Sequence, residues 1–254
     1  MKELIQVQNV KKYYGKKENL TKAIDHITFF VKQQEFVGIM GASGSGKTTL
    51  LNLLATIDTV TSGHILYEGI DITRFNEDET ADFRKKNLGF VFQDFNLLDT
   101  LTIQENISFA LSLCSKQGVN IKEKTHDMME KLGILELASK FPYEVSGGQK
   151  QRCACARALI NNPKIIFADE PTGALDSKSA RVLLTTLSSM NKELGTTILM
   201  VTHDAFSASY CDRILFLKDG KIFHELYRED DEQQNFLQKI LNVLSMTGGD
   251  YYAK

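Results

Sequence analysis

The chain has 254 residues, of which 43% are hydrophobic and 24% charged, with a formal net charge of −2. That length allows one large domain or two small ones, each able to bury a core, and the composition excludes disordered and collagen-like chains. The near-neutral balance argues against a strongly basic nucleic-acid binder, so no nucleic-acid partner is expected. No apolar stretch approaches the roughly 20 residues that a bilayer span needs, and Met1-Lys2-Glu3-Leu4-Ile5-Gln6 leads into no apolar signal segment. The chain is therefore expected on the cytoplasmic side. Cys114, Cys153, Cys155 and Cys211 are too scattered for a disulfide framework and read as buried or half-buried free thiols.

In chain order, Leu4–Tyr14 and Ala23–Val31 read as antiparallel strands and Phe36–Met40 as a strand covered on both faces. A helix over Lys47–Thr56 follows, then a strand over Gly63–Tyr67, a helix over Glu77–Lys86 and a strand over Leu88–Phe92. Helical spacing continues over Ile103–Cys114, Ile121–Leu132 and Gly148–Ile160 with no convincing strand between them. Lys164–Ala168 and Thr197–Thr202 are apolar enough for central strands, with helices over Lys178–Leu194 and Ala205–Tyr210. This alternation predicts an α/β fold with a mainly parallel sheet, into which a helical subdomain is inserted. After the acidic run Glu229-Asp230-Asp231-Glu232, Phe236, Leu237, Ile240, Leu241 and Leu244 mark an amphipathic helix, expected to pack on its own domain in preference to the alternative of binding a partner. The expected units are residues 1–93 and 161–228 for the sheet core, 94–160 for the helical subdomain and 229–254 for the tail.

Gly41-Ala42-Ser43-Gly44-Ser45-Gly46-Lys47-Thr48-Thr49 matches the pattern G-x-x-x-x-G-K-[ST], between an apolar strand and a helix. Glycines let successive backbone N–H groups converge on phosphate oxygens, and the helix N-terminus adds its positive dipole end. Lys47 is expected to bind the β- and γ-phosphates and Thr48 to ligate Mg²⁺. Downstream, an apolar run ends in Asp169-Glu170. At the carboxyl edge of a parallel sheet, Asp169 would sit near that Mg²⁺, and Glu170 would orient or deprotonate the attacking water.

Between these motifs stands Val145-Ser146-Gly147-Gly148-Gln149-Lys150-Gln151-Arg152, which resembles the signature motif of ATP-binding cassette (ABC) ATPases. The remaining family pattern occurs in order: Tyr14 before Gly15, Gln93, Ala174-Leu175-Asp176, and His203 in Val201-Thr202-His203-Asp204. The resemblance extends to about Tyr227 and implies a P-loop NTPase fold with a RecA-like core that uses ATP and Mg²⁺. It implies that Tyr14 stacks on adenine and that Glu170, His203 and Gln93 serve catalysis. Thr48, Gln93 and Asp169 would serve the metal. It further implies a head-to-tail homodimer in which Ser146, Gly147, Gly148 and Gln149 of one copy close over the γ-phosphate held by the other, with Asp176 at the interface. Val145 departs from the family's usual leucine, and Gly173 stands where serine commonly precedes Ala-Leu-Asp.

The stretches Gln93–Thr102, Ser146–Arg152 and Phe167–Ser179 look like the ATPase subunits of Bce-type transporters. That resemblance implies a separate integral membrane permease, a role against cell-wall-directed peptide antibiotics and a link through the permease to a sensor histidine kinase. The cassette would then sit on the cytoplasmic face of the membrane. The competing reading is a soluble ABC ATPase of DNA repair or translation. Its members need long coiled coils or two cassettes in one chain, and neither is found in this sequence.

Overall fold

The computed structural model describes residues 2–16, 19–114 and 119–246. The strands are β1 (Glu3–Tyr14), β2 (Thr21–Lys32), β3 (Phe36–Met40), β4 (Ser62–Tyr67), β5 (Ile70–Asp71), β6 (Leu88–Phe92), β7 (Ile165–Asp169), β8 (Thr197–Thr202), β9 (Arg213–Lys218) and β10 (Lys221–Tyr227). The α-helices are α1 (Lys47–Leu54), α2 (Glu77–Asn87), α3 (Ile103–Cys114), α4 (Ile121–Lys131), α5 (Gly147–Leu159), α6 (Ser177–Leu194), α7 (Ala205–Ala208) and α8 (Gln233–Met246). An antiparallel sheet runs in the order β2-β1-β4-β5, and a larger sheet in the order β10-β9-β3-β8-β7-β6. In the larger sheet β9, β3, β8, β7 and β6 are parallel, and β10 closes one edge antiparallel to β9.

Side chains that alternate along a strand point to opposite faces, and here both faces are covered. Phe36, Ile166, Ile198, Met200, Ile214 and Phe216 face one apolar layer, which they share with the inward sides of α3 to α8. Val37, Ile39, Phe167, Leu199 and Leu215 face the other layer, shared with α1 and the antiparallel sheet. The expected helical segment after β6 therefore folds onto the first layer. Phe236, Ile240 and Leu244 of α8 are buried there as well, and Gln233 Nε2 donates to Ser209 Oγ at 3.0 Å. Residues 247–254 of the expected tail lie outside the described residues. Cys153, Cys155 and Cys211 are buried free thiols and Cys114 is half-buried. Burial pushes the Cys153 thiol up to about 12 and the Cys155 thiol likewise to about 12.

The structure corrects the expected elements at several points. The strands β9 and β10 were not expected, and β5 is a short third addition. Their signal was present: Ile214–Leu217 is an apolar run, followed by Asp219-Gly220 with φ of 50° and 73°. Two consecutive positive φ values define the hairpin turn that Asp-Gly favours. The helix expected to reach Thr56 ends at Leu54, and Thr56 itself has φ of 55°. The helix expected to reach Tyr210 ends at Ala208.

Arg213, at the start of β9, joins the two sheets. Its side chain is 1% exposed; Nε bonds Glu35 Oε1 at 2.7 Å, Nη1 bonds Glu225 Oε2 at 3.2 Å, and Nη2 donates to the Phe30 carbonyl. Its guanidinium also lies 5.2 Å from the Phe30 ring centre and 5.5 Å from that of Tyr227. Removing one partner of a buried ion pair leaves the other charge uncompensated. Arg213→Leu should therefore lower the free energy of unfolding by about 3 kcal/mol in a urea titration.

Candidate nucleotide site

The carboxyl ends of four parallel strands lie level. Pairing runs Met40↔Thr202 between β3 and β8, Asp169↔Val201 between β7 and β8, and Phe92↔Asp169 between β6 and β7. The residues that follow these ends are Gly41, His203, Glu170 and Gln93, so one sheet edge gathers groups that are far apart in sequence.

At β3 the chain turns through Gly41–Gly46 into α1. Gly46 occupies the helix N-cap with φ of 102° and provides no side-chain cap, so the first-turn N–H groups of α1 have no side-chain acceptor. A Cβ on Gly41 would stand 2.3 Å from the Leu217 carbonyl oxygen, and one on Gly46 would stand 2.4 Å from that of Ala23. The loop is thus walled by β2 and by the β9–β10 turn, where Gly220 N donates to Ser45 O at 3.1 Å. Lys47 Nζ donates to the carbonyls of Gly41 at 2.8 Å and Ala42 at 3.0 Å. Ala42 is half-buried, Ser43, Gly44 and Thr48 are exposed, and Thr49 lies half-buried in the first turn of α1.

Burial pushes the Lys47 ammonium below its usual range, against the pull of Glu170 and Asp169. Burial raises the Asp169 carboxyl, the Glu170 charge adds to this, and Lys47 opposes it. Two buried oxygens here, Asp169 Oδ1 and Ser45 Oγ, have no hydrogen-bond partner. Glu170 sits in the left-handed region with φ of 46°, and its N–H bonds Val201 O at 2.9 Å. A non-glycine residue held there costs backbone energy, which the neighbouring structure offsets. That geometry presents Glu170 Oε1 to His203 Nδ1 at 2.9 Å. Behind the pair, Ser207 Oγ bonds Asp204 Oδ2 at 2.6 Å and Thr172 Oγ1 at 3.0 Å.

Gln93 is exposed and lies against Gly173, where a Cβ would stand 3.0 Å from Gln93 Cδ. The departure to glycine at 173 leaves room for Gln93. Ser146 caps α5 through a reciprocal pair: Gln149 N donates to Ser146 Oγ at 3.3 Å, and Ser146 N to Gln149 Oε1 at 2.8 Å. Asp176 caps α6 by accepting from the N–H groups of Lys178 and Ser179. The two caps share one patch, since a Cβ on Gly148 would stand 2.9 Å from Ser179 Oγ and one on Gly147 3.8 Å from Ala174 O. Among the described residues, no hydrogen bond joins Ser146–Gln149 to Gly41–Thr49. Tyr14, at the end of β1, bonds Asp58 Oδ2 through Oη at 2.6 Å, whereas Tyr13 bonds Asp25 Oδ1 at 2.8 Å.

Gln151, for which the motif pattern predicts no role, is fully buried. Its Nε2 donates to Phe92 O at 3.1 Å and to Pro171 O at 2.7 Å, tying α5 to the segments that carry Gln93 and Glu170. The signal was a polar side chain in line with Gly148, Cys155 and Leu159 on a buried helix face. Arg157 Nη2 likewise donates to Phe95 O at 2.9 Å and holds the loop after Gln93.

A family model described as "ABC transporter" matches residues 24–173. The chain is 50% identical over 246 residues to the bacitracin export ATP-binding protein BceA of Halalkalibacterium halodurans, covering 97% of each chain. It is 50% identical over 250 residues to the ABC transporter ATP-binding protein YxdL of Bacillus subtilis, covering 98% of this chain and 96% of the relative. Among solved structures it resembles the ATP-binding cassette MJ0796 of Methanocaldococcus jannaschii, a dimer in a post-hydrolysis state bound to ADP and Pi. That match has a TM-score of 0.80 at 38% identity and covers 88% of this chain and 98% of the other. The chain belongs to the ABC transporter family, as one of its ATP-binding, ATP-hydrolysing subunits.

Proposed function

We propose that this ATPase works as a homodimer on the cytoplasmic face of a membrane, driving a permease carried by a separate chain in resistance to cell-wall-directed peptide antibiotics. The observation that carries the reading is the level edge on which the Lys47 loop, Asp169 and the Glu170–His203 pair meet. The near full-length likeness to the BceA relative supports the class of cargo. No helix among the described residues is long and apolar enough to cross a membrane, in keeping with a span supplied by another chain.

The N–H groups of Gly41–Gly46 and of the first turn of α1 bind the β- and γ-phosphates of ATP, and Lys47 exchanges its carbonyl partners for phosphate oxygens. Glu170 orients water and takes its proton as the oxygen attacks the γ-phosphorus, yielding ADP and phosphate. His203 fixes the Glu170 carboxylate and faces the γ-phosphate. The buried, unpaired Asp169 Oδ1 is a hard oxygen donor that suits Mg²⁺. Asp169, Thr48 and Gln93 would hold the ion, and when bound it would neutralise charge on the phosphates. Tyr14 offers its exposed ring to the adenine. The Ser146–Gly148 terminus of α5 has a phosphate to bind only in a second copy, and Asp176 shares that surface. The dimeric MJ0796 relative supports this arrangement.

A groove of about 600 Å³ beside Gln93 supports the docking of the permease. It is lined by the apolar Leu88, Phe90, Phe92 and Leu113 and by the basic Arg84, Lys85 and Arg157. Such a groove suits an apolar cytoplasmic segment of the permease with acidic flanks.

Lys47→Ala should abolish phosphate release from ATP, and wild-type turnover in that variant would remove the assignment. Glu170→Gln should keep ATP binding, lose at least about 100-fold in turnover and accumulate a dimer by light scattering with ATP. A purely monomeric Glu170→Gln chain would count against the shared site. Leu113 is 55% exposed, so Leu113→Asp should change stability by less than about 0.5 kcal/mol. The same change should deplete the cassette from permease purified in detergent; undiminished co-purification would refute the groove assignment.

A further inference from the structure

Immediately past α1 the chain turns back towards the end of β1. There the Asp58 carboxylate is a hub: Oδ2 accepts from Tyr14 Oη at 2.6 Å, and Oδ1 accepts from Lys12 Nζ at 2.6 Å and from Thr59 N at 2.7 Å. Lys12 Nζ also bonds the Thr59 carbonyl at 2.8 Å and lies 4.8 Å from the centre of the Tyr14 ring. The Tyr14 ring is 42% exposed, yet it is held at its para oxygen and by a cation over the ring.

We propose that Asp58 is a positioning residue for nucleotide binding, fixing the plane of the Tyr14 ring on which the purine stacks at a set distance from the phosphate cradle. This rests on the reading of Tyr14 as the base platform. One helix defines both ends of the ligand: the cradle is at the first residue of α1, Lys47, and Asp58 lies four residues beyond its last, Leu54. A ring pinned before the ligand arrives loses less side-chain freedom on binding, which lowers the cost of the stack.

The test compares two probes on the full chain, ATP and inorganic tripolyphosphate, each displacing a fluorescent ATP analogue. Asp58→Asn should weaken ATP about three- to tenfold and leave tripolyphosphate unaltered, because only ATP uses the ring. Tyr14→Phe keeps the ring and loses the hydroxyl, and it should give the same pattern. The double variant should be weaker than wild type by less than the sum of the two single effects, since both variants act on the Tyr14–Asp58 hydrogen bond. Equal weakening of both probes by Asp58→Asn would place its effect on the cradle and overturn the proposal, as would full additivity with Tyr14→Phe. ATP affinity unaltered in Asp58→Asn while Tyr14→Ala weakens ATP would overturn it and leave the platform standing. ATP affinity unaltered in Tyr14→Ala would overturn the platform reading and this inference with it.

Discussion

Everything at the nucleotide edge depends on four parallel strands that pair without a slip. From β3 through β8 and β7 to β6, each pairing runs in unbroken register to the carboxyl end. Neighbouring strands are about 4.8 Å apart, so Gly41, His203, Glu170 and Gln93 fall within roughly 15 Å along one edge. A shift of one residue in any strand would turn its side chains to the opposite face. What forbids the shift is burial on both sides. The alternate residues of β3, β7 and β8 belong to two separate apolar layers, and a slipped strand would have to exchange them.

The same edge concentrates charge that burial disfavours. Lys47 loses ammonium stability to burial and regains part of it from Glu170 and Asp169, and Asp169 is held up by burial and by Glu170 and drawn down by Lys47. Lys47 and Asp169 thus each offset part of the other's burial, whereas Glu170 favours the charge on Lys47 and opposes that on Asp169. The helix ends around this cluster differ in a telling way. The termini of α5, α6 and α7 have side-chain acceptors from Ser146, Asp176 and Asp204, whereas α1 begins at a glycine with none. The unsatisfied donors of α1 thus begin at Lys47, whose charge interacts with the carboxylate that bears the unpaired Asp169 Oδ1.

Much of this was legible in the sequence because it rests on local rules. A glycine loop after a buried strand and before a helix has one common use, and apolar runs ending in Asp169-Glu170 or Thr202-His203 place those residues at a strand end without knowledge of the fold. What was not legible depends on contacts between distant segments. The hairpin of β9 and β10 walls the phosphate loop through backbone atoms of Leu217 and Gly220, and backbone contacts leave little trace in side-chain pattern. Gln151 carried a visible sign, a polar residue on an apolar helix face, but its partners are carbonyls at Phe92 and Pro171. Asp58 carried none: a solvated acid in a turn looks the same whether or not a tyrosine reaches it.

The loop after β7 and the loop after β8 are joined by more than the Glu170–His203 contact. Asp204 Oδ2 accepts from both the N–H and the hydroxyl of Ser207. With its one proton committed there, Ser207 Oγ can only accept from Thr172 Oγ1, so the chain of donors runs from Thr172 through Ser207 to Asp204. Thr172 and Ser207 are buried, and an unmade hydrogen bond at such a site costs more than a made one gains. One turn into α6, Arg181 lies 5.4 Å from the Phe206 ring of α7, adding a second tie outside the first. The segment that leads to Asp176 is therefore bonded, through Thr172, to the segment that follows His203. These ties hold the loops after β7 and β8 together independently of the sheet pairing beneath them.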